Sequence, residues 1–249
     1  MSEQNPFESP ATVGSGFDAN GRSVDGGRAI EWLKQGWELF VKNPGVWIAI
    51  IVIMLVIVVV LSLIPIIGQL AVHFLMPVFV GGIMLGCKSL IDGGELRIDH
   101  LFAGFKQNTG NLVLVGVFYL IGVVAVVGIT FLIGGGAALT GGLMGRGPGI
   151  GMALGGFFLA MLVMLVLMVP LGMAMWFAPA LVVFHNVAPL AAMKASFFAC
   201  LKNIVAVLVY VVIVFVLMII AAIPFGLGLL VLVPVLMGST YSAYVEIFE

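Results

Sequence analysis

The feature that most constrains this chain is the length of its uncharged, apolar stretches. No Asp, Glu, Lys or Arg occurs between Lys42 and Lys88, between Lys106 and Arg146, or between Lys202 and Glu246. A helix needs about 20 apolar residues to cross the hydrocarbon core of a bilayer. Only 8% of the residues are charged and 63% are hydrophobic, whereas soluble domains keep about 25% of their residues charged. The sequence therefore predicts an integral membrane protein.

These stretches predict an all-α fold with six membrane-spanning helices. The motifs "IPIIGQ" and "IPFGLG" carry the Pro and Gly that divide the first and last stretches into two spans each. The predicted spans are 45–64, 67–87, 112–133, 150–176, 204–223 and 226–245. They belong to one transmembrane domain over residues 28–249. Residues 1–27 are polar and rich in Gly, Ser and Pro, which predicts a disordered cytoplasmic tail rather than a signal peptide.

The basic residues predict how the chain is oriented. Nine of the ten Lys and Arg residues lie before the first span, between spans two and three, or between spans four and five. Only Arg146 lies on the other side. Because basic loops stay in the cytoplasm, we expect a multi-pass protein of the bacterial inner membrane with both termini cytoplasmic. Cys87 and Cys200 lie near predicted cytoplasmic helix ends and are expected to be reduced thiols.

A short segment that ends in Asn precedes an apolar stretch three times. It reads "ELFVKN" up to Asn43, "AGFKQN" up to Asn108 and "ACLKN" up to Asn203. Large apolar residues recur in these segments at helical spacing, which predicts amphipathic helices that lie in the membrane interface. The predicted interfacial anchors are Trp37, Phe40, Phe105 and Phe197.

The second helix of each predicted hairpin carries a proline, followed four residues later by a small residue. The pairs are Pro77 and Gly81, Pro170 and Ala174, and Pro234 and Gly238. Proline removes a backbone hydrogen bond and kinks a helix, and a small residue lets a neighbouring helix approach. We therefore predict three hairpins, each preceded by an interfacial helix and related by a pseudo-threefold axis along the membrane normal, as in parallel repeats.

The predicted spans offer few groups for chemistry. They contain no Asp, Glu, Lys or Arg, which argues against an ion-coupled transporter. Gln69 and His73 form a candidate intramembrane polar pair, which either lines a hydrated vestibule or bonds to a neighbouring helix. Met161, Met164 and Met168 share one face of the fourth span, where thioethers either bind Cu(I) or fill apolar packing. We assign no catalytic residue, metal ligand or cofactor.

Two further segments have structural rather than chemical interpretations. His185 and Asn186 lie between Pro179 and Pro189 and are predicted to form a turn after the fourth span. The glycine-dense segment 134–156 is predicted to be a flexible hairpin, because it lacks the GxxxxGK[ST] pattern of phosphate-binding loops.

Three stretches carry a family resemblance. The sequences "GWELFVKNPGVW", "FAPALVVF" with "AMKASFFACLKN", and "GSTYSAYVEIF" resemble an uncharacterised family of proteobacterial inner-membrane proteins. That family is similar to the membrane domain fused to some glycerophosphodiester phosphodiesterases. The resemblance covers residues 28–248 and implies a six-helix fold with no established activity. The barrel domain of the phosphodiesterases is not part of this sequence, so their chemistry does not carry over.

Two functions remain open at this point. The first is a non-enzymatic membrane-organising or accessory protein that interacts with membrane lipids, with other membrane proteins or with another copy of itself. The alternative is a passive carrier or channel for an apolar or lipid-like substrate, with a cavity between the kinked helices. An intramembrane enzyme is disfavoured, because the spans lack acids and bases. A net charge of −1 provides no basic field for nucleic acid.

Overall fold

The computed structural model describes residues 16–143 and 150–249, with side chains for 16–133 and 155–249. Within these ranges the chain forms nine α-helices, one 3₁₀ helix and no strand. The α-helices are α1 Arg28–Lys42, α2 Pro44–Ser62, α3 Ile67–Ile91, α4 Thr109–Leu143, α5 Ile150–Trp176, α6 Ala178–His185, α7 Pro189–Lys202, α8 Ile204–Ala222 and α9 Leu229–Phe248. The 3₁₀ helix is Ile98–Phe105.

The prediction of six spanning helices is confirmed. Six helical segments of the described chain are long and apolar enough to cross a membrane: α2, α3, α4, α5 with α6, α8 and α9. The largest difference lies in α4, which continues to Leu143 although its predicted span ends at residue 133. Glycines 134–136 do not end this helix, since glycine is common inside transmembrane helices. Arg146 is the one basic residue predicted on the side of the membrane opposite the cytoplasm, and it lies outside the described residues.

Two short helices differ from their predictions. The segment before α4 is an eight-residue 3₁₀ helix rather than an α-helix. Its backbone lies very close to that of α3. A Cβ on Gly104 would overlap Val78 O, and a Cβ on Gly82 would overlap His100 O, so glycine is needed at both positions. The region around His185 is helical up to that residue, and Asn186 ends α6 in the left-handed conformation with φ 51°. The turn is therefore limited to the residues after His185.

Proline and asparagine account for several helix starts. Pro44, Pro179 and Pro189 occupy the first turns of α2, α6 and α7, where the missing N–H of proline has no intrahelical partner to lose. The side chain of Asn43 accepts a hydrogen bond from the Val46 N–H, at 3.4 Å, and so caps α2. Asn108, with φ 54°, instead donates from its amide to Val182 O of α6, at 3.0 Å.

Each of the three short leading helices packs on a proline-containing helix of another hairpin. α1 packs against α9, the 3₁₀ helix against α3, and α7 against α5. In chain order, each leading helix therefore contacts the proline-containing helix that precedes it, and α1 closes the circle through α9. The pseudo-threefold relation between the hairpins remains a prediction.

The contact between α1 and α9 is also very close. A Cβ on Gly36 would overlap Val235 O and lie 2.7 Å from Ser239 N, and a Cβ on Gly238 would lie 3.0 Å from Gly36 Cα. The small residue predicted after Pro234 thus faces a second glycine. Further along, Glu246 accepts hydrogen bonds from Arg28 Nε at 2.5 Å and from Trp32 Nε1 at 2.6 Å. This half-buried charged group holds the start of α1 to the end of α9.

The fourth span is interrupted at Phe177, seven residues beyond Pro170. There α5 ends and α6 begins, because Pro179 cannot donate a backbone hydrogen bond to α5. Ser196 of α7 compensates: its hydroxyl accepts from Phe177 N at 3.0 Å and donates to Met173 O at 2.6 Å. Phe177 N and Met173 O, which do not bond to each other at the interruption, are thereby satisfied inside the protein, as an apolar environment requires.

Residues 16–27 differ from the predicted disordered tail. They form an extended segment, here called the strap, that runs across the ends of α7 and α9. Asp18 N and Arg22 N donate to Phe248 O and Ile247 O at 2.8 and 2.7 Å. Buried Asn203 accepts from Val24 N at 2.7 Å and donates to Arg22 O at 2.8 Å. These specific hydrogen bonds offset the conformational entropy that a polar segment loses on ordering.

The core is concentrated at the end of the molecule where the strap lies. It is formed by the C-terminal halves of α3 and α9, by α6 and by the buried faces of α1 and α7. Pro77 and Pro234 are buried in this region, whereas Pro170 is half-buried. Because Pro77 has no N–H, His73 O lacks its partner in the helix. This carbonyl oxygen lies against Gly116 of α4, and a Cβ on Gly116 would be only 2.5 Å from it.

Candidate functional site

An apolar groove lies between α1, α8 and α9. Its volume is about 770 Å³, within the range of about 300–1,000 Å³ that is typical of pockets for small molecules. The lining residues are Ile30, Leu33, Lys34, Trp37 and Glu38 of α1, Ile213, Leu217, Ile220 and Ala221 of α8, Pro224 and Gly228 of the connecting turn, and Val231, Leu232 and Val235 of α9.

The helical repeat explains why these residues meet. In each of the three helices the lining positions, some of them adjacent pairs, recur after three or four residues, so each helix contributes one face. α1, α8 and α9 together form the walls of the groove. Two close approaches hold the walls in place. Gly36 and Gly238 bring α1 onto α9, and Gly228 lies so close to α8 that a Cβ would be 2.6 Å from Ala221 Cα.

The groove has an apolar body and one charged end. The portion of α8 from Ile213 to Ala221 gives it a length of about 12 Å at 1.5 Å per residue. All lining residues from α8, the turn and α9 are uncharged, whereas α1 contributes Lys34 and Glu38. Lys34 also forms an ion pair with exposed Glu31 at 2.8 Å. The hydrogen bond from Lys34 lowers the pKa of the Glu31 carboxyl.

The predicted interfacial anchors do not share one environment. Trp37 is 51% exposed and lines the groove, but Phe40 is only 6% exposed and packs in the core. Phe40 faces inward because the buried face of α1 contains Ala29, Trp32, Gly36 and Leu39, so its predicted position at the lipid interface differs from the structure. Phe105 is 40% exposed, and Phe197 is half-buried.

The two residues of the predicted intramembrane polar pair lie in different surroundings, and the pair itself remains a prediction. His73 is half-buried with its ring 6.4 Å from that of Tyr119, whereas Gln69 is exposed. On α5, Met161 and Met164 are exposed and Met168 is half-buried. No group of three or more His, Cys, Asp or Glu suited to a metal was found in the described part of the chain.

A polar cluster at the end of α9 was missed by sequence reasoning. His185 Nε2 lies 2.6 Å from Tyr244 Oη, Tyr244 donates to Glu249 Oε1 at 2.8 Å, and Phe17 of the strap stacks on the His185 ring at 3.7 Å. The residues come from three distant parts of the sequence, so spacing carries no signal for them. The cluster joins the strap, α6 and α9.

The two cysteines are free and buried. Cys200 on α7 faces the interrupted fourth span, with Sγ 3.7 Å from Met173 O. Burial raises the pKa of the Cys200 thiol to about 12, so this thiol stays protonated and unreactive at neutral pH.

Six apolar spans, proline-containing inner helices and a lateral apolar groove define a polytopic α-helical membrane protein. A probable inner membrane protein of Burkholderia thailandensis is 31% identical to the chain over 222 residues, which cover 86% of this chain and 80% of the relative. The chain therefore belongs to the family of this inner membrane protein, and it is a multi-pass protein of the inner membrane. No family model matches the chain, and no solved structure matches it.

Proposed function

We propose that this protein is a non-enzymatic membrane protein that binds a lipid by holding one acyl chain in the groove between α1, α8 and α9. The observation that carries the proposal is the groove itself. Because α8 and α9 span the membrane, its apolar body lies at the depth of lipid chains. An empty groove would forfeit the dispersion contacts of its lining atoms, so an apolar chain is the occupant that fits.

The charged end of the groove supports the same assignment. Lys34 and Glu38 project from α1 beside apolar Trp37, a combination that suits the boundary between lipid chains and headgroups. An acyl chain along α9 would place its ester and headgroup at this end. The resemblance to the membrane domain of glycerophosphodiester phosphodiesterases agrees with a lipid-handling role, and we keep that relationship as part of the proposal.

The groove can be tested with a phospholipid that carries a photoactivatable diazirine on its acyl chain. We expect more crosslinks on Leu217, Val231 and Val235 than on residues of α8 that are equally apolar but lie outside the groove. Leu217→Trp and Val231→Trp should lower crosslinking in the groove several-fold, since the indole fills the space of the chain. Val212→Trp is the matched control, because Val212 is 62% exposed on α8 and does not line the groove. Uniform labelling of all exposed faces would contradict the proposal.

A passive carrier for an apolar or lipid-like substrate is the second candidate. The feature that favours it is the uncharged part of the lining, to which α8, the turn at Pro224 and Gly228, and α9 contribute. Reconstituted vesicles with a fluorescent phospholipid in one leaflet distinguish the two candidates. A carrier accelerates movement of the lipid to the other leaflet, and the groove-filling variants abolish this acceleration. A binding protein leaves the rate at the level of protein-free vesicles.

We further propose that both termini are cytoplasmic, because all nine described basic residues precede α2, lie between the last turn of α3 and the start of α4, or lie in α7, and basic loops stay in the cytoplasm. A cysteine placed at position 16 or 249 in a Cys87→Ala, Cys200→Ala background should react with a membrane-impermeant maleimide only after the cells are opened. A cysteine placed at Phe225, in the turn between α8 and α9 and fully exposed, should react in intact spheroplasts. The reverse pattern would contradict this orientation.

A further inference from the structure

A second cavity, separate from the groove, lies between the strap and α7. Its volume is about 470 Å³. Two lysines of α7, Lys194 and Lys202, and Asn20 of the strap contribute its polar groups, and Ala191, Ala195 and Phe198 provide an apolar wall. The site exists only because the strap is ordered, since Asn20 and Lys202 meet through the docking of residues 16–27.

The charges in this cavity are unbalanced. Lys202 Nζ donates to Gly21 O at 2.6 Å, which fixes the ammonium group beside the strap. Lys194 is exposed and has no ion pair or hydrogen bond to any other residue in the described ranges. No acidic residue lines the cavity. The adjacent carboxylate, Asp18, accepts the backbone N–H of Asn20 at 2.9 Å and so stabilises the turn of the strap.

The apolar wall indicates where the ligand comes from. Phe198 is 60% exposed and lies in the same cavity as the two ammonium groups. A free anion in water would gain nothing from this exposed ring. A phospholipid presents a phosphate next to its glycerol and first methylenes, so it matches both parts of the site. Lysine binds phosphate as a point charge with three donors, and basic pockets at the membrane surface recognise anionic headgroups.

We propose that the cavity between the strap and α7 binds the phosphate headgroup of an anionic phospholipid, with Lys194 and Lys202 on the phosphate and Phe198 against the glycerol end of the chains. This inference does not depend on the groove between α1, α8 and α9. The sequence predicts only that α7 lies at the membrane interface. The proposed site gives α7 a role in binding a lipid headgroup and makes the strap part of the same site.

The test compares binding of phosphatidylglycerol and phosphatidylcholine to the purified full-length protein by native mass spectrometry. We expect the wild type to prefer phosphatidylglycerol, and Lys194→Gln to weaken that lipid about fivefold, the effect typical of one basic residue near an anionic headgroup. Lys106→Gln is the matched control, because Lys106 is an exposed lysine outside the cavity. It should leave the preference unchanged. Protection of the strap from trypsin checks that each variant is folded.

Three results would overturn the inference. They are equal binding of both lipids by the wild type, an unchanged preference in Lys194→Gln, and displacement of phosphatidylglycerol by millimolar inorganic phosphate, which would identify a soluble anion as the ligand. Leu217→Trp, which fills the groove, should not alter the preference. If it removes the preference while Lys194→Gln does not, the anionic lipid belongs to the groove.

Discussion

Replacing Gly36 with Ala should destabilise the protein by about 1–3 kcal/mol, the usual cost of extra atoms in a packed interior. We expect the upper part of this range, because the new Cβ would meet the backbone atoms Val235 O and Ser239 N rather than a flexible side chain. Relief requires α1 to move away from α9. That movement would lengthen the hydrogen bonds from Arg28 and Trp32 to Glu246 and disturb the wall of the groove.

The measurement is the midpoint of thermal unfolding in nanodiscs, compared with Gly172→Ala as control. Gly172 lies inside α5 with no atom within 4 Å of a Cβ built on it. The control should be neutral or slightly stabilising, since Ala has a higher helix propensity than Gly by about 1 kcal/mol. Equal midpoints for the two variants would show that α1 and α9 are not in close contact in the folded protein.

Replacing Asn203 with Leu should release the strap. Asn203 is 2% exposed and forms three hydrogen bonds, with Val24 N, Arg22 O and Ala199 O. Leucine has a similar volume but can form none of them, and each buried backbone group left unpaired costs about 1–3 kcal/mol. The strap can recover these hydrogen bonds from water by detaching, so detachment rather than global unfolding is the expected response.

Trypsin reports this detachment directly. Arg22 N donates to Ile247 O, which holds the peptide around Arg22 away from a protease. We expect cleavage after Arg22 to be slow in the wild type and at least tenfold faster in Asn203→Leu. Asn43→Leu is the matched control, because Asn43 ends another of the three related segments but caps α2. A similar increase in cleavage for both variants, or for neither, would contradict the role assigned to Asn203.

The three asparagines illustrate how far the sequence motif carries. Their recurrence before an apolar stretch predicts a break between a leading helix and a span, and each of the three lies at such a break. Their partners differ, however: Asn43 bonds within its own helix start, Asn108 bonds to α6 and Asn203 bonds to the strap. A local pattern predicts a local boundary, whereas the partner depends on which distant segment lies nearby.

For the prolines and glycines, too, the sequence predicts the local feature but not the distant partner. The repeated motif predicts a kink in each of three helices, but the surroundings of the prolines differ: Pro77 and Pro234 occupy buried positions, whereas Pro170 is half-buried. The interruption at Phe177, by contrast, depends on Pro179 together with the hydroxyl of Ser196 from another helix. Likewise, the pairing of Gly36 with Gly238 joins residues far apart in the chain.

The sequence by itself determined the membrane class, the number of spans and most of their boundaries. These follow from the length and hydropathy of single segments, because a segment in lipid has to satisfy its backbone hydrogen bonds internally and therefore becomes a helix. Only the tertiary structure decided that Phe40 faces inward, that the strap docks through Asn203, and that α1, α8 and α9 enclose a groove. Helix packing in lipid depends on van der Waals fit and on hydrogen bonds between helices, and the sequence of one helix does not show which other helix will lie against it.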